Sequence, residues 1–319
     1  MKYIIVTLLL ITSSAYAQNT DNKTQNFSDK TLLAAIKANQ AEGGLAIVVD
    51  LSTNKIISYS AFSKKGVAYV QDTNLMNSPI EPASLMLPIS AAVIIDNFDV
   101  HLKNEVNLEG GSTVINGKKI VDAEMHGIKN TSLLNVIAES SNVGIAKLVN
   151  NAFKDKQTST FFIDKVQAYV GNTPVAQFMQ DNNNLATLAF GYGLTLTPKQ
   201  IFNFYTRVAS NDNQLFNHPN TLQEVKAALA EVCTNGTARK LFSNLNYKVA
   251  GKTGTGLVAN KNGYKDNQYL SSFIGFTSLD QPQYACMVMI KNKPNAVNHY
   301  GASVAGPVFN ALIQNLLSK

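Results

Sequence analysis

Zinc-ligand spacings, arginine-rich stretches and long apolar runs are absent from this chain of 319 residues, and it has only two cysteines. Neither Cys233 nor Cys286 has a neighbouring histidine, so a cysteine nucleophile is not expected. We expect no metal and no cofactor, because the residues that would bind them are not clustered. The lysines are dispersed rather than grouped, so the net charge of +6 does not predict a nucleic-acid partner.

The apolar run at the N-terminus is too short to span a bilayer, and no later stretch is long enough either. Lys2 precedes the apolar residues 4–11, and Ala15-Tyr16-Ala17 follows them as a small-residue cleavage site. This arrangement predicts a signal peptide over residues 1–17 and an exported, periplasmic protein. Membrane attachment is expected only if the signal stays uncleaved. A lipid anchor is not expected, because the cleavage site has no cysteine.

Export would place both cysteines in an oxidising compartment, where a disulfide can form. Cys233 falls late in a helical pattern and Cys286 in an apolar strand pattern. We therefore predict two buried, unpaired thiols, with a disulfide as the alternative.

The mature chain is long enough for one large core or for two sub-domains that share a cleft. We predict that residues 18–42 form a leader and an N-terminal helix, with a polar leader over 19–28 and an amphipathic helix over 30–41. Residues 43–319 are predicted to form one domain. Its elements are strands over 44–50, 55–60, 269–277 and 284–291, a helical part over about 82–240 and a closing helix over 302–317.

These elements predict an α+β fold: a mixed, mainly antiparallel sheet from residues 43–60 and 247–291, sandwiched by helices. Within it, Lys252-Thr253-Gly254-Thr255 carries cationic and hydroxyl side chains where a core strand would be apolar. The segment therefore predicts an edge strand that shows Lys252 and two hydroxyls to a cleft. Gly254 would let a substrate backbone approach, while the lysine holds a carboxylate. The alternative is a glycine-rich turn with a solvated lysine.

Two further polar sites lie beside predicted helices. Ser84 stands before the apolar helical segment 85–98, where the positive field of a helix N-terminus favours an oxyanion. A serine there can also be only a helix cap. Ser140-Ser141-Asn142 separates two helical segments, where small polar residues either face a cleft or cap the second helix.

In their order and separation, these three segments resemble the Ser-x-x-Lys, Ser-x-Asn and Lys-Thr-Gly motifs of penicillin-binding transpeptidases. Residues 190–198, 234–238, 272–276 and 299–309 also resemble landmarks of the class B enzymes in this family. The resemblance runs from Gly43 to the C-terminus and implies the serine β-lactamase and penicillin-binding fold. It implies acyl transfer at serine in cell-wall cross-linking, with peptidoglycan stem peptides and β-lactams as the bound molecules.

The resemblance also implies a role for each motif. The nucleophile would attack a peptide or β-lactam carbonyl while two backbone N–H groups stabilise the oxyanion. The resemblance implies Ser84 as nucleophile, with the N–H groups of Ser84 and Thr255 as oxyanion donors. It implies Ser140 as proton relay and Asn142 as binder of the acyl-linked amide. Lys252 with Thr253 or Thr255 would bind the substrate carboxylate.

One position departs from the pattern: Leu87 stands where the family has the lysine of Ser-x-x-Lys. That lysine takes the proton of the serine, and general-base help of this kind is worth about 10²–10⁴-fold in rate. Three hypotheses stay open: a divergent D,D-transpeptidase or carboxypeptidase, a catalytically impaired relative that binds stem peptides or β-lactams as a sensor or scaffold, and a class D-like β-lactamase. The third normally has Ser-x-Val as its second motif.

Two regional departures accompany this change. The part before Gly43 is too short for the N-terminal pedestal domain of class B enzymes, so we expect that domain to be missing. Residues 150–184 are short and rich in Asn, Gln and Lys where the family has a longer lobe, which leaves substrate selectivity undefined there.

Overall fold

The computed structural model describes residues 22–153, 156–171, 176–177, 185–259, 263–264 and 266–318. The predicted signal peptide lies outside these residues. Within these ranges, no helix combines the length and the apolar character that a membrane span requires. The α-helices are α1 (Asn22–Ala38), α2 (Leu87–Asn97), α3 (Leu133–Ala138), α4 (Asn142–Ala152), α5 (Lys156–Val170), α6 (Leu185–Leu188), α7 (Pro198–Ala209), α8 (Pro219–Thr234), α9 (Arg239–Phe242), α10 (Gly301–Val304) and α11 (Gly306–Leu317).

The main sheet has six strands in the order β10-β11-β12-β1-β2-β3, and every neighbouring pair is antiparallel. Shorter strands pair into small ribbons outside it. The strands are β1 (Gly43–Asp50), β2 (Lys55–Lys65), β3 (Ala68–Gln71), β4 (Glu105–Asn107), β5 (Ser112–Ile115), β6 (Lys118–Val121), β7 (Asn130–Ser132), β8 (Ala176–Gln177), β9 (Leu194–Thr195), β10 (Val249–Leu257), β11 (Tyr269–Thr277) and β12 (Tyr284–Lys291).

Helices cover both faces of the sheet. α1 and α11 pack on one face, where Phe309 meets Phe273 of β11 at 4.7 Å between ring centroids. α7 and α8 pack on the other, where the amine of Lys226 lies over the ring of Phe276. Because both faces are covered, β11 and β12 are apolar at consecutive positions rather than at alternate ones. The predicted α+β class is confirmed.

Several predicted elements are found with small changes. β11 and β12 have the predicted bounds. The Asn-Gly pair at 116–117 predicts a small hairpin, and it turns between β5 and β6 with both residues at positive φ. Thr197 followed by Pro198 predicts the start of a helix, and Thr197 caps α7 with a complete capping box. The closing helix is divided into α10 and α11, and Pro307 stands in the first turn of α11, where its missing N–H is tolerated.

The polar leader predicted over residues 19–28 is wrong for residues 22–28, because α1 begins at Asn22. The buried Ser28 accounts for part of the error, since its hydroxyl accepts a hydrogen bond from Ser60 of β2. Gln25 bonds both backbone groups of Tyr59, at 2.9 and 3.0 Å. The polar residues of this segment therefore join the helix to β2, which composition alone does not reveal.

The two cysteines are buried and unpaired, as predicted. Cys233 lies in the last turn of α8, close to Gly251 of β10, whereas Cys286 lies within β12.

Candidate active site

Ser84 lies in a 3₁₀ turn, Ala83–Met86, that leads directly into α2. Neither the turn nor α2 is capped by a side chain, and Met86 occupies the cap position of α2. The alternative that Ser84 serves only as a helix cap therefore fails. Its side chain is partly exposed between two buried neighbours, Ala83 and Leu85. A partly exposed hydroxyl without a capping contact is free to meet a ligand.

The turn is held in place by the segment that follows α6. Ala83 has φ +48° and donates its N–H to the carbonyl of Gly191 at 3.1 Å. Gly191 itself has φ +87°, and a Cβ there would lie 2.3 Å from the Ala83 carbonyl oxygen, so only glycine fits. Two residues further, the N–H of Gly193 donates to the carboxylate of Glu81 at 2.8 Å. The two residues Glu81 and Ala83, just before Ser84, are thus fixed by this one loop.

Leu87 is completely buried and belongs to the apolar core. It occupies the first position of α2, one turn beyond Ser84. A leucine at this place can neither accept nor donate a proton. The side chain at position 87 therefore contributes packing, where the resemblance implied a lysine.

The two serines of the second motif have different structural roles. Ser141 caps α4, because its Oγ accepts from the N–H of Gly144 at 2.9 Å. The cap alternative is therefore correct for Ser141, whereas Ser140 lies outside the helix with φ +61°. Asn142 starts α4, and its side-chain amide donates to the carbonyl of Val121 at 3.3 Å.

Lys252 lies on β10, which is an edge strand of the sheet as predicted. The prediction that the strand shows Lys252 to a cleft is wrong, since its side chain is 0% exposed. The amine donates to Ser140 Oγ at 2.9 Å and to the carbonyl of Thr253 at 3.1 Å. An edge strand leaves its backbone open on one side, but its faces can be covered by other elements, and here they are.

Burial lowers the pKa of Lys252 to about 7, although the nearby Cys233 and Glu139 oppose the shift. A lysine in water titrates near 10.4, so the buried amine is far easier to deprotonate. Near neutral pH it exists in both protonation states. It can therefore accept a proton as well as donate one.

Glycines bring β10 against the Ser84 turn. A Cβ on Gly254 would lie 2.9 Å from Leu85 Cγ, and one on Gly256 would lie 2.7 Å from Ala83 Cβ. Lys252, Gly254 and Gly256 share one face of the strand, because side chains alternate along it. The buried amine thus projects on the face that packs against the Ser84 turn, so the three motifs meet in one place.

A threonine that was not predicted as a site residue completes this region. Thr237 Oγ1 lies 2.7 Å from Thr253 Oγ1, and its N–H donates to the carbonyl of Ala138. The approach requires Gly236, where a Cβ would be 2.3 Å from that same carbonyl oxygen. Thr255 Oγ1 accepts from the N–H of Gly301 at 3.0 Å. Thr237 belongs to the 234–238 landmark, so a signal was present in the sequence.

Comparisons with known proteins agree with this arrangement. The family model described as penicillin binding protein transpeptidase domain matches residues 44–314. Peptidoglycan D,D-transpeptidase FtsI of Escherichia coli K12 is 26% identical over 94% of this chain and 55% of its own length. The FtsI protein of Buchnera aphidicola subsp. Schizaphis graminum is 24% identical over 94% of this chain and 57% of its own length. The chain thus spans about half the length of these curated relatives.

Solved structures show the same fold. The apo transpeptidase domain of Burkholderia pseudomallei penicillin-binding protein 3 superposes with a TM-score of 0.76 at 25% identity, covering 94% of this chain and 95% of that one. Penicillin-binding protein 3 of Mycobacterium tuberculosis, complexed with aztreonam, gives a TM-score of 0.76 at 21% identity, which shows the fold alone, and covers 93% of this chain and 78% of that one. By its sequence and its fold, this chain is a member of the penicillin-binding protein transpeptidase family.

Proposed function

We propose that the chain is a penicillin-binding, D,D-transpeptidase-type protein that binds peptidoglycan stem peptides and β-lactams and is acylated at Ser84. The observation that carries this proposal is the hydrogen bond between Lys252 and Ser140, on the strand face that packs against the Ser84 turn. The names of the relatives, peptidoglycan D,D-transpeptidases, support the same activity and do not favour a β-lactamase.

In the proposed reaction, Ser84 Oγ attacks the carbonyl carbon of a stem peptide or β-lactam. The C–N bond breaks, the amine leaves with a proton, and the N–H groups of Ser84 and Thr255 stabilise the oxyanion. Because Leu87 cannot take the serine proton, Ser140 passes it to the neutral amine of Lys252, which returns it to the leaving amine. The pKa of about 7 makes that neutral form available. Asn142 binds the substrate amide.

The substrate carboxylate is assigned to the hydroxyls of the third motif. Thr255 Oγ1 accepts from the Gly301 N–H, so its own proton remains for a carboxylate oxygen. Thr253 and Thr237 share one proton between their hydroxyls, which leaves the other proton for a ligand. Once it has accepted the serine proton, the amine of Lys252 adds a positive charge behind them. Gly254 lies on the opposite face of β10, where a Cβ would lie 2.9 Å from Leu85 Cγ.

The second candidate is a catalytically impaired relative that binds the same molecules as a sensor or scaffold. The full burial of Leu87 favours it, because an apolar side chain replaces the amine next to the nucleophile. General-base help is worth about 10²–10⁴-fold, so slow acylation is expected even if the relay through Ser140 works.

Intact mass after incubation with benzylpenicillin separates the two candidates. We expect a slow, stoichiometric adduct on the wild-type protein, none on Ser84→Ala, and one that forms about 10²–10⁴-fold faster on Leu87→Lys. Leu87→Met is the matched control, since it keeps an apolar side chain and should behave as wild type. An adduct on Leu87→Lys alone would favour the impaired relative. Folded proteins without an adduct on either would contradict both acylation at Ser84 and the proposed function.

We also propose that the protein is exported and that residues 1–17 are removed after Ala17, leaving a leader and helix before a domain from residue 43 onward. The pattern of Lys2, the apolar residues 4–11 and Ala15-Tyr16-Ala17 supports this. N-terminal sequencing of the protein recovered from a cell-envelope fraction tests it. A sequence that begins at Gln18 is expected, and an intact N-terminus would support membrane attachment by an uncleaved signal instead.

A further inference from the structure

Asp122 is a buried carboxylate that lies outside the three motifs, yet its side chain is bonded to the second of them. Its Oδ2 accepts from the Ser141 hydroxyl at 2.7 Å, and its Oδ1 accepts from the N–H of Val143 at 2.9 Å. The residue is only 2% exposed. Burial of an ionisable group without compensation is unfavourable, so this placement calls for an explanation.

We infer that Asp122 is a positioning residue that holds the Ser140-Ser141-Asn142 turn so that Ser140 Oγ meets the amine of Lys252. The catalytic meaning of this inference rests on the proposed function. Asp122 touches neither substrate nor nucleophile. Its effect reaches Ser140 through the backbone of Ser141 and the first turn of α4.

The conformation of Ser140 explains why such a holder is needed. Its φ of +61° is unfavourable for a residue with a Cβ, by roughly 1–2 kcal/mol. The turn persists only if neighbouring contacts outweigh that energy. On the upstream side the N–H of Ser141 donates to the carbonyl of Val136 at 2.8 Å. On the downstream side Asp122 binds both the hydroxyl of Ser141 and the N–H of Val143.

Asp122 is itself fixed by its surroundings. Its N–H donates to the carbonyl of Gly111 at 2.9 Å, and the preceding carbonyl, of Val121, accepts from the side-chain amide of Asn142. The negative charge sits at the N-terminus of α4, where the helix dipole favours it. The segment before the second motif therefore holds Ser141, Asn142 and Val143, where the motif leads into α4.

The test uses the full-length chain and compares three variants. Asp122→Asn keeps size but replaces one acceptor with a donor, Ser140→Ala removes the contact to Lys252, and Asp96→Asn is the matched control. Asp96 is also buried and accepts hydrogen bonds from Tyr169, Asn217, His218 and Thr221, but it lies at the far end of α2. The first readout is the titration midpoint of the Lys252 side-chain ¹⁵N resonance, identified by its loss in Lys252→Met.

The second readout is the rate of acylation by benzylpenicillin, measured also in the Leu87→Lys background. We expect Asp122→Asn to move the Lys252 midpoint in the same direction as Ser140→Ala and to slow acylation about tenfold or more. Asp96→Asn should lower the midpoint of thermal unfolding yet leave both readouts near wild type.

The inference is overturned if Asp122→Asn titrates like wild type, or if Ser140→Ala leaves the Lys252 midpoint unchanged. If Asp122→Asn does not fold, Ser141→Ala is measured in its place. This variant removes the contact of Asp122 with the Ser141 hydroxyl and keeps the carboxylate and its contact with Val143. The titration requires no reaction. If no variant is acylated, the proposed function fails while the midpoints still decide whether Asp122 positions Ser140.

Discussion

The amine of Lys252 lies 2.9 Å from the hydroxyl of Ser140, a residue 112 positions earlier in the chain. Lys252 is fully buried and Ser140 is partly exposed, so the lysine of the third motif points away from solvent and toward the second motif. Leu87 has no amine and belongs to the core, so the motif residues contact the amine of Lys252 instead. The protonation state of Lys252 should therefore affect both the free energy of unfolding and the rate of acylation.

The pH dependence of stability provides a direct test of the buried amine. The pKa of Lys252 is about 7 in the fold and near 10.5 ordinarily. Above pH 7 the unfolded chain therefore binds more protons at this site than the folded protein, and the free energy of unfolding rises with pH. Between pH 7 and about 8.5 the expected rise from Lys252 is about 1.5 kcal/mol, measured by urea denaturation.

Lys252→Met should lack this rise, and the difference between the two proteins isolates Lys252. Lys226, whose pKa burial also lowers, is present in both and cancels. The range stops near pH 8.5 because burial raises the pKa of Cys233 and Cys286, which opposes the rise at higher pH. Equal slopes in the two proteins would show that the amine is not desolvated.

Gly191→Ala should disrupt the turn that presents Ser84. The new Cβ would lie 2.3 Å from the carbonyl oxygen of Ala83, so the loop or the turn must move. We expect the free energy of unfolding to fall by about 3 kcal/mol or more, which is typical of overpacking combined with a positive φ. Acylation of Ser84 should be lost in the fraction that stays folded.

Gly117→Ala is the matched control for the backbone term. Gly117 has φ +77°, close to that of Gly191, but no atom lies within 4 Å of the position that a Cβ would take there. It should lose only about 1–2 kcal/mol, the energy of a left-handed residue with a Cβ. Equal losses in the two variants would mean that the contact with Ala83 does not hold the turn.

Thr237→Val should weaken ligand binding with little effect on the fold. The substitution keeps the shape of the side chain but removes the hydroxyl that meets Thr253. One hydrogen bond of this kind contributes about 1–1.5 kcal/mol, so the second-order constant for acylation should fall about tenfold. The measurement is the time course of the benzylpenicillin adduct, made in the Leu87→Lys background for speed.

Thr234→Val provides the comparison, because Thr234 is exposed and donates only to the carbonyl of Ala230 within its own helix. It should react at the rate of its parent protein. A loss that is as large in Thr234→Val as in Thr237→Val would remove Thr237 from the site.

Much of the fold follows from local pattern. The composition and length of residues 269–277 and 284–291 predicted two strands with the bounds that are observed. Thr197 followed by Pro198 predicted the start of α7, because a hydroxyl cap and a residue without an N–H both suit that position. The start of α1 was missed, since its polar residues bond to β2 rather than to water.

The site was predicted in part. The order of the three motifs indicated the family and the residues that meet. The burial of Lys252 was not predicted, and neither were the contacts made by Thr237 and Asp122. Each depends on partners at least 16 positions away in the chain, which no local pattern specifies.

The sequence by itself determined the family and placed Leu87 where the family resemblance implies a lysine. It also predicted Ser84, Ser140 and Lys252 as the residues that carry the chemistry. Only the tertiary structure decided that Leu87 joins the core and that Lys252 is removed from water to meet Ser140. The physical reason is that residue type fixes which groups can ionise, whereas desolvation by distant segments sets the pH at which they do.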